Sequence, residues 1–279
     1  MQRRTLLTIP LALAATGLMT TPVQAGGPAT PGGHGARVLT VMTFNIHHGE
    51  GADGVVDLER IAGIIRDSGA DLIGLQEVDR HFSERSGWAD QPAELAERLG
   101  FHVAFGANID EEPPEGRTER SQYGTAILSR HPITHAENIP LTSSADQEQR
   151  GLLRAVVDVR GRTVEFCSTH LEAFSAADRQ VQAQQLVELI GAKERAVVVG
   201  DMNAEPEDPE IAPLREAFVD AWDAAGHGDG ATYPAEAPSS RIDAIYGTGA
   251  VRPVVTRVLS GSPEASDHLP IISRIVLRP

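Results

Sequence analysis

Of the 279 residues, 41% are hydrophobic and 23% charged, enough apolar side chain to bury a sizeable core in one large domain or two small ones. Lys and Arg number 24 against 39 Asp and Glu, a formal charge of −15, so the chain lacks the basic balance that polyanions such as duplex DNA call for. The single cysteine, Cys167, excludes an internal disulfide and sits in an apolar run that suits a buried, inert thiol.

Residues 1–25 read as a secretory signal. Arg3 and Arg4 precede an apolar stretch from Leu6 to Met19, and Val23, Gln24 and Ala25 end it with cleavage after Ala25. Arg3-Arg4 followed by Leu6 and Leu7 resembles a twin-arginine leader, and an ordinary Sec signal fits equally well. The stretch is too short, and too interrupted by Pro10 and Gly17, to anchor in a bilayer. Cleavage removes two arginines and no acid, taking the formal charge to about −17 in a protein expected outside the cell. Residues 26–36 form a Gly/Pro-rich linker, and one folded domain is expected over 37–279.

Short apolar runs bounded by turn residues predict strands at RVLTVMTFNI, ADLIGLQEV, FHVAFGAN, YGTAILSR, LLRAVVDVR, TVEFCSTHL, RAVVVGD, RIDAIYG, VVTRVLS and IISRIVL. Helices are expected at DLERIAGIIRDSG, with Asp57 as N-cap and Gly69 as stop, and at DQPAELAERLG, between Asp90 and Gly100. SAADRQVQAQQLVELIGA, capped by Ser175, is the longest helical pattern. Residues 108–122, NIDEEPPEGRTERSQ, read as a polar loop able to shape a site. Strands outnumber helices, which predicts a layered α/β sandwich with helices covering two packed sheets.

Chemistry is expected where a strand's last residues stop being apolar. Those ends are Asn45 after VMTF, Glu77 after LIGLQ, His170 after FCST, Asp201 with Asn203 after VVVG, and Asp267-His268 before LPIISRIVL. Each alone suits a cap, an Asx turn or a core histidine. Together they are rich in carboxylates, amides and imidazoles, a set suited to a hard divalent cation; Mg2+ is expected, with Mn2+ or another divalent ion as the alternative. Zinc would call for closer His or Cys spacing such as HExxH, which is absent. His47 and His48 are adjacent, so on a strand they point to opposite faces and need a turn to share one metal. With no GxSxG, Walker or GxGxxG pattern, hydrolysis by a metal-oriented water is the reaction class that fits.

TFNI, LQEVD, YGTAILSR, STHLE, GDMNAEP, RIDAIY and SDHLP, in this order from about Val41 to Ile271, resemble the endonuclease/exonuclease/phosphatase superfamily of magnesium-dependent phosphoesterases. The resemblance implies a four-layered α/β sandwich, two mixed sheets face to face with helices outside, and a metal site at one rim. It implies that Glu77 is the principal metal carboxylate, with Asn45 as ligand or orienting amide and Asp267 as a further metal or outer carboxylate. His268 would be the catalytic imidazole, oriented by Asp243. Asp201 and Asn203 would flank the attacking water and the phosphate, and His170 would donate to a phosphate oxygen. Either Asp201 or the Asp243-supported His268 would serve as base. Tyr123 would contact substrate, and His47 would be either a weak metal ligand or a substrate contact.

One departure stands out. DNA-repair members carry an acid two residues after the strand-end asparagine, and here that residue is His47, which counts against a repair role. Substrates rank as a phosphodiester such as a phospholipid headgroup at a membrane surface, then nucleic acid, then a phosphomonoester. A non-catalytic secreted binding protein is the remote reading, and no obligate protein partner is expected. A lipid enzyme needs an exposed aromatic feature, for which the loop around Trp88 is the only suggestion. Arg80, Arg85, Arg120 and Arg150 could meet a phosphate, but solvated surface arginines are the simpler expectation for each. Glu205, before Pro206, is expected in a solvated or capping role.

Overall fold

The structure is a computed structural model describing residues 36–278; the expected signal and nearly all of the linker lie outside the described residues. In chain order the first half builds β1 (Arg37–Asn45), α1 (Leu58–Ser68), β2 (Leu72–Arg80), α2 (Gln91–Leu99), β3 (His102–Glu111), β4 (Ser121–Ser129), β5 (Ile133–Pro140) and β6 (Gly151–Asp158). The second half adds β7 (Thr163–His170), α3 (Ala176–Ile190), β8 (Ala196–Asp201), α4 (Ala212–Ala217), β9 (Val219–Asp220), α5 (Ala221–Ala225), β10 (Asp243–Gly247), β11 (Val251–Val258) and β12 (Ile271–Leu277).

Two six-stranded mixed sheets result, in the orders β11-β12-β1-β2-β4-β3 and β5-β6-β7-β8-β10-β9. Each has one parallel pair at its centre, β1·β2 in the first and β7·β8 in the second, flanked by antiparallel neighbours. A helix carries the chain between the two parallel strands in each sheet, α1 in one and α3 in the other, as a parallel crossover demands. The two halves therefore repeat one plan.

The inner core is where the sheets meet. Val41, Leu72 and Ile127 of the first sheet pack with Phe166, Val197, Val199 and Ile245 of the second. Outside, α1 and α2 bury Ile61, Ile65 and Leu95 against Phe44 and Ile73, while α3 and α4 bury Leu186, Ile190 and Leu214 against Cys167 and Val198. Strands covered on both faces read as continuous apolar runs, which is why they were legible. The helix caps match the expectation: Asp57 accepts from the N–H groups of Glu59 and Arg60, Asp90 from Ala93 and Ser175 from Asp178. Gly69 and Gly100 close their helices in the left-handed conformation.

Gly74 sets how closely the sheets approach. A Cβ there would lie 2.3 Å from Val199 Cγ2. Gly74→Ala is therefore expected to cost about 1–3 kcal/mol, because the added methyl enters a filled interface. Urea denaturation measures this, and a variant as stable as the parent would show that the sheets part freely there.

Two strands escaped sequence reading. β5 is an edge strand with half its residues polar, none buried and a terminal proline, and β9 has only two residues. The polar segment at 108–122 is also shorter as a loop than expected. β3 continues to Glu111 and β4 starts at Ser121, with Arg120 bonded to Asp110 and Glu112 across the turn.

Candidate active site

The carboxyl ends of both central parallel pairs meet at one rim. β1 ends at Asn45 and β7 and β8 at His170 and Asp201, which lie opposite each other in register. β10 runs antiparallel to β8 and sets Asp243 opposite Asp201. Sheet register alone thus lines up His170, Asp201 and Asp243 on adjacent strands. Glu77 comes from β2, where the pairing with β4 slips between Leu75 and Val78 and the backbone turns left-handed, φ 58. A non-glycine residue held there is strained, and the bulge re-aims its side chain.

Asn45 joins the two sheets. Its Nδ2 donates to Glu77 Oε1 at 2.9 Å and to Asp201 Oδ2 at 3.1 Å, while its Oδ1 accepts from the His47 N–H. The amide is thereby an orienting group that holds two carboxylates together.

His268 completes a buried chain of polar contacts. Its Nδ1 lies 2.8 Å from Asp243 Oδ2, which also accepts from Thr232 Oγ1 at 2.6 Å, and its Nε2 is 3.6 Å from Asp201 Oδ2. The Tyr233 ring covers the imidazole, with centroids 4.8 Å apart. Burial would lower the His268 pKa, but the charges of Asp243 and Asp201 and the Asp243 hydrogen bond raise it to about 10. Burial pushes the Asp201 carboxyl above the usual carboxylate range; His268 opposes this and Asp243 reinforces it. The pair reads as an imidazolium beside a carboxylate that takes up a proton unusually readily.

His170 behaves differently. Burial, Arg150 and His268 together hold it well below the ordinary histidine pKa, so the ring is neutral. Asn203 Nδ2 sits 2.9 Å from His170 Nε2, which fixes the proton on Nδ1, the nitrogen with a hydrogen to donate. The other Asn203 amide hydrogen goes to Leu171 O, and its backbone N–H goes to Asp201 Oδ1. Asn203, expected to flank the phosphate, has both amide hydrogens placed within the protein, on His170 and Leu171, where its left-handed turn (φ 50) folds it back on the end of β7.

Asp267 lies beside Ser266 Oγ at 3.3 Å and lines a groove of about 520 Å³ with His47, Glu50 and Pro234. Among the described residues it joins neither metal-capable group, His47-His48-Glu77 or Asp201-Asp243-His268. In the second group the hydrogen bond to Asp243 already engages Nδ1 of the histidine. In the first, a carboxylate and two imidazoles present free donor capacity, which fits a divalent cation at Glu77. His47 and His48 were expected to diverge as on a strand; a 3-10 turn, His47–Gly49, follows β1 and brings them together.

Tyr123 is buried on β4, and burial together with the Glu77 charge pushes its hydroxyl pKa up, leaving a neutral hydroxyl near the site. Arg150 corrects the expectation of a solvated arginine. It is 4% exposed, 2.8 Å from Glu148 and 3.5 Å from Glu172, and its Nε lacks a hydrogen-bond partner. Arg85 is bound bidentately by Asp79, and Arg80 and Arg120 pair at the surface with Asp90 and with Asp110 and Glu112. Glu205 accepts from the Arg241 N–H and ties two loops together. Among the described residues the most exposed aromatic is Phe174, 91% exposed between β7 and α3, whereas Trp88 is covered by the Arg117 guanidinium at 4.3 Å. Arg150, Tyr233 and Phe174 carry no local sequence signal, since burial and contact across loops are properties of the fold.

A rim that can hold a dication beside a tetrahedral anion, with a proton acceptor and fixed donors around it, is equipped to hydrolyse an anionic ester. The chain belongs to the endonuclease/exonuclease/phosphatase family, whose sequence profile matches residues 42–268, and is a hydrolase of phosphoesters. Family members typically use a divalent metal. The chain is 31% identical over 251 residues to YbhP of Escherichia coli strain K12, covering 85% of this chain and 96% of YbhP. The crystal structure of an endonuclease/exonuclease/phosphatase from Beutenbergia cavernae superposes with a TM-score of 0.72 at 30% identity, over 87% of this chain and 72% of the other. The mannosyl-6-phosphatase Bt3783 of Bacteroides thetaiotaomicron shares the fold, with a TM-score of 0.67 at 18% identity over 86% and 100% of the two chains.

Proposed function

We propose that the protein is an exported, divalent-metal-dependent phosphodiesterase acting on a small or lipid-linked phosphodiester. The observation that carries the reading is Asn45 Nδ2 bonding Glu77 and Asp201 at once, which sets a cation-binding carboxylate beside a proton-accepting one. A divalent cation at Glu77 would polarise a phosphoryl oxygen and offset its charge. The chain's own groups do the rest. Water attacks phosphorus as the opposite ester bond breaks; Asp201 accepts the water's proton, and the leaving oxygen takes one from solvent. The His268 imidazolium, held by Asp243, and the His170 Nδ1–H donate to non-bridging oxygens where charge develops.

A diester is favoured over a monoester by charge. Among the described residues Glu77, Asp201, Asp243, Glu148 and Glu172 outnumber the cations beside them, Arg150, His268 and an Arg85 already paired with Asp79, and a monoanion costs less to bring there than a dianion. The acidic chain makes nucleic acid the weaker alternative. The expected signal at residues 1–25 supports export. Hydrolysis of bis-p-nitrophenyl phosphate, p-nitrophenyl phosphate, sphingomyelin, phosphatidylcholine and plasmid DNA tests the substrate class. Bis-p-nitrophenyl phosphate and the two phospholipids should turn over best, and a preference for p-nitrophenyl phosphate or for plasmid DNA would overturn it.

Two further results are expected. kcat/KM should rise with pH as Asp201 loses its proton, at a value above the ordinary carboxylate range, and fall near pH 10 as His268 loses its own. His268→Gln should remove the alkaline limb, and an unchanged limb would contradict the assignment. Phe174→Ala should raise KM for phosphatidylcholine vesicles roughly 3- to 10-fold at unchanged kcat, as expected for an exposed ring that contributes uniform binding. Equal KM values would remove Phe174 from the binding surface.

A further inference from the structure

The turn after β1 places two imidazoles beside Glu77. His47 and His48 both have left-handed backbone, φ 44 at each, and their rings meet edge to face with centroids 4.6 Å apart. One ligand atom from each of His47, His48 and Glu77 lies within 4.8 Å of the other two. All three residues sit at positive φ, a conformation that L side chains avoid unless the surrounding fold imposes it.

His48 carries the second, independent observation. It is 6% exposed; its Nε2 lies 3.3 Å from Glu50 Oε2, and its Nδ1 is buried with no hydrogen-bond partner. A neutral imidazole that donates Nε2–H to a carboxylate keeps its lone pair on Nδ1. That carboxylate–imidazole arrangement is how proteins orient a histidine toward a metal. A structural histidine would have its second nitrogen satisfied by the protein, and this one does not.

The geometry points to a mixed nitrogen–oxygen site at His47, His48 and Glu77 that binds an imidazole-seeking dication such as Zn2+ or Co2+ in preference to Mg2+. Mg2+ favours oxygen donors in near-ideal octahedra, whereas imidazole suits the later first-row ions, and three protein ligands leave a position open for substrate. The inference rests on the metal-dependent reading above and narrows it from a dication to a choice among dications. It also replaces the Mg2+ expected from motifs, because the turn that unites the histidines is not visible as a spacing.

The full-length chain, stripped with chelator and dialysed, is titrated calorimetrically with Zn2+, Co2+ and Mg2+. Zn2+ and Co2+ should bind at least about 100-fold more tightly than Mg2+. His47→Ala and His48→Ala should each weaken Zn2+ binding roughly 10- to 100-fold with Mg2+ affinity unchanged, and Glu50→Gln should do so more mildly. The visible bands of the Co2+ form should shift in the histidine variants. If His48→Ala does not fold, the half-buried His47 decides alone. A Zn2+-to-Mg2+ preference left undiminished by His47→Ala, or its absence in the parent, overturns the site. The two readings separate cleanly: histidine-dependent Zn2+ binding without phosphoester turnover sinks the hydrolase, whereas Mg2+-driven turnover without that preference sinks only this site.

Discussion

His268→Ala should lower kcat/KM by about 10³-fold, some 4 kcal/mol of transition-state stabilisation, with a smaller change in KM. The size follows from position. The imidazole is 5% exposed, held at 2.8 Å by Asp243, and raised in pKa so that it stays cationic where phosphoryl charge accumulates. Alanine also leaves Asp201 and Asp243, paired in register on β8 and β10, as neighbouring buried carboxylates without their shared cation. Circular dichroism and thermal melting must therefore accompany the kinetics, and His268→Gln keeps a polar group there as a second variant. Near-normal turnover by a folded variant would contradict the role. Asp243→Asn should act in the same direction with a separate signature, because His268 then loses the charge that raises it and the alkaline limb of the pH profile moves down.

Glu77→Gln should lose metal-stimulated turnover by roughly 10³-fold or more, since the amide keeps the shape and removes the charge that a dication needs. Its bond with Asn45 can persist, so folding should be little affected. Raising the metal concentration should recover part of the rate if affinity is the main loss. A variant with the parent's response to added metal and to chelator would remove Glu77 from the site.

Much of this rim was legible in the strand ends. Strands buried on both faces are apolar almost throughout, so Asn45, His170 and Asp201 stood out where the pattern broke, and the structure brings them together with Asp243 and His268. The layers were legible for the same reason, as were helix caps with a local chemical rule, such as Asp57 and Gly69. Contacts that cross the chain were not. Arg150 looks like any arginine until the fold buries it between Glu148 and Glu172. The hydrogen bonds that tie the Asn203 amide to Leu171 and His170 cross from one strand end to another and have no sequence signature. His47 and His48 looked divergent because strand alternation was assumed one turn too far. β5 was missed because a sheet edge needs no apolar pattern.

The most direct test of the account is turnover of bis-p-nitrophenyl phosphate by the purified chain after chelator treatment, before and after a divalent cation is restored. The predicted result is loss of hydrolysis on chelation and its return with added cation in the parent, with Glu77→Gln and His268→Ala each restored to only about a thousandth of the parent's rate at the same cation concentration. Hydrolysis that continues undiminished in chelator, or no hydrolysis of this or any phosphoester with any divalent cation, would contradict it.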